Sequence, residues 1–205
     1  MEALHRACVD GRIPADVVAV VSNRRDAPAL AYAARSGLHA VALTHGDFSS
    51  RDAYDAALAA TLRELQPDII AMAGFMRVVG AAFIAEFRGR MLNIHPSLLP
   101  RYPGLHTHRR ALDAGDAEHG ATVHFVTEQL DGGPRLIQAA LSVKADDDEE
   151  SLADRVLQQV ELKIYLQAVA WMARGDVKLV GDQVQWHGQP LQAPLGAREL
   201  EDAFR

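Results

Sequence analysis

Val17-Val18-Ala19-Val20-Val21, closed by Ser22-Asn23, is a short unbroken apolar run rich in β-branched residues. Such a run suits a strand buried on both faces of a parallel sheet. A helix is expected next over residues 27–36, with Gly37 as its C-terminal cap, and then a strand over residues 39–43. Ser49 or Ser50 is placed to cap a helix from Arg51 to Leu65, which Pro67 ends. Residues 68–74 read as another buried strand, and a short helix near residues 81–87 follows. Met91-Leu92-Asn93-Ile94-His95 is a strand that Pro96 ends. This alternation of strand and helix periods argues for an α/β fold.

The second half changes character. Residues 121–126 and 136–143 alternate in polarity, which suits longer strands, at least one antiparallel, with Asp131-Gly132-Gly133-Pro134 in their connection. Asp146-Asp147-Asp148-Glu149-Glu150 precedes a long helix over residues 151–174 that Gly175 closes. Negative charge there favours a helix N-terminus, a better account of the run than a metal site. Residues 177–180 and 184–186 suit a hairpin. No repeat or low-complexity linker divides the chain, so residues 1–205 read as one domain.

Net charge is −6, which argues against a general nucleic-acid surface but leaves room for a local basic pocket. The one cysteine, Cys8, excludes an internal disulfide and cysteine-rich metal sites; its helical neighbours Leu4 and Ala7 predict that it is buried and inert. No apolar run reaches the ~18 residues of a membrane span. A cytoplasmic enzyme is the class these facts leave.

On the Met91–His95 strand, alternation puts Asn93 and His95 on one face. A polar pair at an apolar strand end requires water, a partner or a substrate. Acyl transfer to an amine needs fixed donors aimed at a developing oxyanion. Asn93 supplies an amide and a protonated His95 a second donor. Asp131, in a glycine-flanked turn, is the candidate carboxylate to orient the imidazole and relay a proton. Because the amine attacks directly, Ser97 reads as a turn residue.

Asn93 to His108 reads NIHPSLLPRYPGLHTH, His119 to Val126 reads HGATVHFV, Leu130 to Pro134 reads LDGGP, and Ala73 to Arg77 reads AGFMR. Together these resemble the phosphoribosylglycinamide formyltransferase family through nearly the whole chain. The resemblance implies a Rossmann-like formyltransferase fold: a mostly parallel twisted sheet flanked by helices, with antiparallel strands in the C-terminal half. It implies transfer of formyl from 10-formyltetrahydrofolate, a co-substrate, to the amine of 5'-phosphoribosylglycinamide in purine synthesis. It implies small-molecule substrates, no metal, no nucleic acid, no membrane, and a monomer or homodimer. Two alternatives stay open: hydrolysis of the same folate, and a folate-binding remnant with impaired activity.

By the same resemblance, Asn93, His95 and Asp131 are the catalytic residues. Met76, Arg77, Val79, Val126, Leu130 and Asp131 line the folate cleft, where Arg77 pairs with the folate glutamate. Arg51 is a second candidate for that tail and reads equally well as a solvated surface arginine. Pro96 and Glu161 fall to the glycinamide substrate. Leu162 and Leu166 depart from the usual His and Pro around that glutamate. His106, His108, His119 and His124 belong to the pattern as structural or substrate-contacting histidines.

The family begins with an apolar strand and a Gly-Ser-rich turn ahead of a helix resembling Met1–Cys8. The expectation is therefore that the native polypeptide is longer, with Met1 internal to it. Without that strand, a doubly wound sheet should show two unpaired edges and a gap in its core. Without the turn, substrate phosphate binding should be weak and stability reduced.

Overall fold

Two sheets stand where a doubly wound sheet would have one. The computed structural model describes residues 1–75 and 79–205. Strand β1 (Val20–Ser22) pairs in parallel with β2 (Ala40–Ala42). Strands β3 (Ile70–Met72), β4 (Met91–His95), β5 (Glu118–Phe125) and β6 (Arg135–Ser142) form a second sheet in that order. β3 and β4 are parallel, while β5 runs antiparallel to both β4 and β6. The antiparallel character expected of the second half is present.

The N–H of Val20 and the carbonyl of Ser22 bond toward β2. By alternation, the polar backbone groups of Val21 face the other way. The N–H of Ile70 bonds to Arg90, so those of Ala71 likewise face away from β4. Between these edges lies a cavity of about 510 Å³, walled by residues 17–23 and 69–75 and by side chains such as Leu58, Leu62 and Tyr165. The expected pair of edges and the expected gap are both there. They also explain why β1 and β3 are shorter than the apolar runs at residues 17–21 and 68–74. A ladder on one side defines less strand than ladders on two.

Helices cover the sheets. α1 spans Glu2–Val9 and α2 spans Pro28–Arg35, with proline in its first turn and Gly37 following at φ +71°. α3 (Arg51–Leu65) is capped by Ser50, whose hydroxyl accepts the Ala53 N–H at 3.1 Å. α4 is Ala81–Glu86 and α5 is Thr107–Asp113. Asp148 and Ser151 form a reciprocal cap on α6 (Glu149–Val156), which agrees with reading the acidic run as a cap. The long helix expected after that run is interrupted. One π-turn over Leu157–Glu161 separates α6 from α7 (Leu162–Arg174), and such wider turns rotate the faces on either side.

The largest core gathers α7, β5 and β6, with Phe125, Leu136, Ile164 and Trp171 almost fully enclosed. The C-terminal hairpin β7 (Val177–Val180) and β8 (Gln183–Trp186) gains a short third strand, β9 (Gln189–Pro190). Cys8 is half-buried rather than buried, and burial pushes its thiol pKa up. Among the described residues, no helix is long and apolar enough to cross a membrane.

Candidate active site

β4 carries Asn93 and His95 on one face and Ile94 on the other, as alternation requires. Ile94 lines the large cavity, whereas Asn93 lines a separate pocket of about 60 Å³ with Phe75, Val79, His124, Val126, Leu130 and Asp131. That volume suits about two waters or a group of similar size. The pocket has an apolar wall from Val79, Ile84 and Val126, and a polar end where Asn93, His124 and Asp131 meet.

His95 is 5% exposed. Its Nε2 lies 2.9 Å from the Tyr102 main-chain carbonyl. A carbonyl only accepts, so Nε2 carries the proton. Nδ1 lies 3.4 Å from Asp131 Oδ2, outside ordinary hydrogen-bond range. Nδ1 therefore faces the Asp131 carboxylate without a hydrogen bond to it at that distance.

The loop at Leu130–Pro134 has local reasons for its sequence. Asp131 sits at φ +49°, a left-handed position that aspartate tolerates better than most residues. A Cβ at Gly133 would fall 1.9 Å from the Phe125 carbonyl oxygen, so only glycine passes there. The Asp131 carboxylate accepts the Gly104 N–H at 2.8 Å through Oδ2 and lies 3.7 Å from His124 Nε2 through Oδ1.

His124 is opposite Asn93 in the β4–β5 ladder. Its Nδ1 donates to the Phe125 carbonyl at 3.0 Å, leaving Nε2 to accept from the Asn93 amide at 3.2 Å. Burial lowers the pKa of His124, which keeps the ring neutral and Nε2 free to accept. The amide of Asn93 is therefore oriented with its nitrogen toward β5.

The structure thus brings together Asn93, His95, Asp131, Val79, Val126 and Leu130. Met76 and Arg77 lie outside the described residues. Arg51 does not line the pocket; it lies 4.0 Å from Asp55, whose carboxylate accepts the Gly80 N–H at 2.7 Å. It therefore neighbours the Val79 segment from outside. Pro96 starts the turn after β4, where the Ser97 N–H reaches the His95 carbonyl at 2.8 Å. Glu161 lines the large cavity on the Ile94 side and is not brought to Asn93. Burial there pushes its carboxyl pKa up to about 7.

Ser97 is enclosed and its hydroxyl donates to the Arg101 carbonyl at 2.6 Å, in keeping with a turn residue. His119 and His108 bond to each other at 3.1 Å away from the pocket; burial and the neighbouring His108 lower the pKa of His119 to about 4. Sequence reasoning missed the Tyr102 carbonyl and the Gly104 N–H, because main-chain groups leave no side-chain signature. The signal available was the Pro103-Gly104 turn beside the histidine.

Residues 1–169 match the family described as formyl transferase. The chain is 45% identical over 191 residues to phosphoribosylglycinamide formyltransferase of Escherichia coli, covering 93% of this chain and 90% of that protein. The Haemophilus influenzae enzyme of the same name is 37% identical over the same shares. A phosphoribosylglycinamide formyltransferase structure from Coxiella burnetii superposes with a TM-score of 0.89 at 39% identity, covering 95% of this chain and 92% of that one. A formyltetrahydrofolate deformylase from Pseudomonas syringae shares the fold, with a TM-score of 0.82 at 21% identity. With a match over most of its length and these relatives, the chain belongs to the formyl transferase family.

Proposed function

We propose that this protein transfers the formyl group of 10-formyltetrahydrofolate to the amine of 5'-phosphoribosylglycinamide, a step of purine nucleotide synthesis. The observation that carries the reading is the convergence of the Asn93 amide, the His95 ring and the Asp131 carboxylate at one polar pocket end. The similarity to phosphoribosylglycinamide formyltransferases over nine-tenths of the chain supports the choice of substrates.

In the proposed mechanism the glycinamide amine attacks the formyl carbon, and the carbonyl electrons move onto oxygen. Asn93 and the His95 Nδ1–H stabilise that oxyanion, where one well-aimed donor is worth about 2.7–4 kcal/mol. Asp131 holds the imidazolium and receives the proton released by the attacking nitrogen, directly or through water. The same proton passes to the folate nitrogen as its bond to the formyl carbon breaks. The amine loses one proton and the folate gains one, so the exchange balances without metal.

Val79, Val126 and Leu130 supply the wall for the folate ring, a role that the family resemblance also gives to Met76 and Arg77. Arg51 meets the folate tail from beside Asp55. Pro96 and Glu161 serve the glycinamide side. The enzyme acts in the cytoplasm, as monomer or homodimer, on small molecules. An assay of folate deformylation with and without phosphoribosylglycinamide tests this. Turnover that requires the glycinamide supports transfer; equal turnover without it would establish hydrolysis, and binding without turnover a folate-binding role.

A further inference from the structure

One four-residue stretch, Arg101 to Gly104, touches both His95 and Asp131. The Tyr102 carbonyl takes the His95 Nε2–H at 2.9 Å, and the Gly104 N–H reaches Asp131 Oδ2 at 2.8 Å. Gly104 adopts φ +80° at no steric cost, but Tyr102 adopts φ +55°, where its Cβ crowds the backbone. A bulky residue stays in that region only when its surroundings over-determine it, and such strain clusters at functional sites.

The surroundings that hold Tyr102 converge on Asp116. The Tyr102 hydroxyl donates to Asp116 Oδ2 at 2.8 Å, and the Arg101 guanidinium pairs with Oδ1. The Asp116 side chain is only 10% exposed, and its own N–H is tied to the Ala111 carbonyl of α5 at 3.1 Å. The Tyr102 ring lies near two guanidinium groups, with Arg101 at 5.5 Å and Arg110 at 5.1 Å from its centroid. Arg110 also donates to the Pro103 carbonyl at 2.7 Å. The carboxylate gives the aromatic ring and the first arginine a common, rigid anchor.

We propose that Asp116 is a positioning residue: by staking Tyr102 and Arg101 it sets the loop that holds the His95 ring and the Asp131 carboxylate in mutual register. It touches neither of them. Its effect passes through the Tyr102 main chain, which fixes the proton on His95 Nε2 and leaves Nδ1 facing Asp131. The inference rests on the roles assigned above to His95 and Asp131.

The test compares Asp116→Ala, Asp116→Asn and Tyr102→Phe with the unaltered chain, in steady-state kinetics and in nitrogen-15 spectra of the histidine rings. Displacing a reacting group by about 1 Å can cost around 100-fold in rate. Asp116→Ala should therefore lower kcat by about 10- to 100-fold while KM for both substrates stays within about twofold. Asp116→Asn keeps an acceptor for the Tyr102 hydroxyl and should recover part of the rate. Tyr102→Phe, which removes only that hydroxyl, should lower kcat in the same sense and settles the matter if the alanine variant does not fold. The His95 ring signals should shift in Asp116→Ala and in Tyr102→Phe. Unchanged kcat and unchanged His95 signals in Tyr102→Phe and any folded Asp116→Ala protein would overturn the proposal. Failure of the underlying reading has a separate signature: Asp131→Asn and His95→Gln would turn over normally, whereas the ring spectra would still report on Asp116.

Discussion

The Asn93 amide nitrogen lies 3.2 Å from His124 Nε2, directly across the β4–β5 ladder, and this contact settles which way the amide faces. Because the His124 Nδ1–H is committed to the Phe125 carbonyl, Nε2 has no proton to offer and the amide cannot turn its oxygen to it favourably. Replacing His124 with Phe should let the amide rotate and lower kcat by about 10- to 100-fold, short of or equal to the loss from removing an oxyanion donor outright. His124→Gln, which can still accept, should lose less. Steady-state kinetics on the two variants and on Asn93→Ala would rank them.

Asp131 is the group for which the arrangement offers no substitute. Asp131→Asn keeps an oxygen that can accept the Gly104 N–H but removes the carboxylate that faces His95 Nδ1 and would carry the proton. Loss of a positioned proton carrier costs about 100- to 10,000-fold, and transfer should fall by that order. Near-normal turnover in Asp131→Asn would count against the proposed mechanism.

Glu161 predicts an unusual dependence of stability on pH. Its carboxyl titrates near 4.5 in a free chain, and burial lifts it to about 7 when folded. The folded state therefore holds a proton that the unfolded state releases. The contribution to stability is fully present below pH 4.5 and is lost as pH rises to 7, amounting to no more than about 3 kcal/mol at 1.36 kcal/mol per unit. Glu161→Gln should raise Tm above pH 7 and flatten its dependence through that window, read by thermal melts. Parallel melting curves for the two proteins would contradict this.

Tyr165 ties the helix to the sheet. Its buried hydroxyl donates to the Met72 carbonyl at 2.8 Å and lies 3.2 Å from that of Leu92, bridging β3 and β4. Tyr165→Phe would leave a buried carbonyl short of a partner. A loss of about 1–2 kcal/mol is expected in denaturant unfolding.

Much of this geometry could be read before any coordinates. Alternation along Met91–His95, with Pro96 as its stop, placed Asn93 and His95 on one face. The glycines after Asp131 marked a loop that comes close to them. Ser49 or Ser50, Gly37 and Gly175 marked helix ends, and the acidic run at 146–150 a helix start, that the backbone then adopts at Ser50, Gly37, Gly175 and Asp148. What could not be read is what depends on tertiary approach. Nothing local to Tyr102 says that its carbonyl meets His95, and nothing local to residues 157–161 announces a wider helical turn. Nothing local to Glu161 says that its helix delivers it to the large cavity on the Ile94 side of β4. The strands beside the gap were overestimated in length because an apolar run reports burial, whereas a ladder also needs a neighbour.

The gap has a consequence for how the molecule breathes. β1 and α2 share a small apolar cluster of Val20, Leu30 and Ala33, with Met1, Val17 and Leu38 against it, distinct from the two larger cores. Among the described residues, β1 and β2 are laddered only to each other. Residues 17–42 therefore form a unit whose opening leaves the Phe125–Trp171 core intact. Amide protons of Val20 and Leu43 should exchange with solvent well ahead of those along β5, and limited proteolysis should first cut the loops around Arg24 and His45.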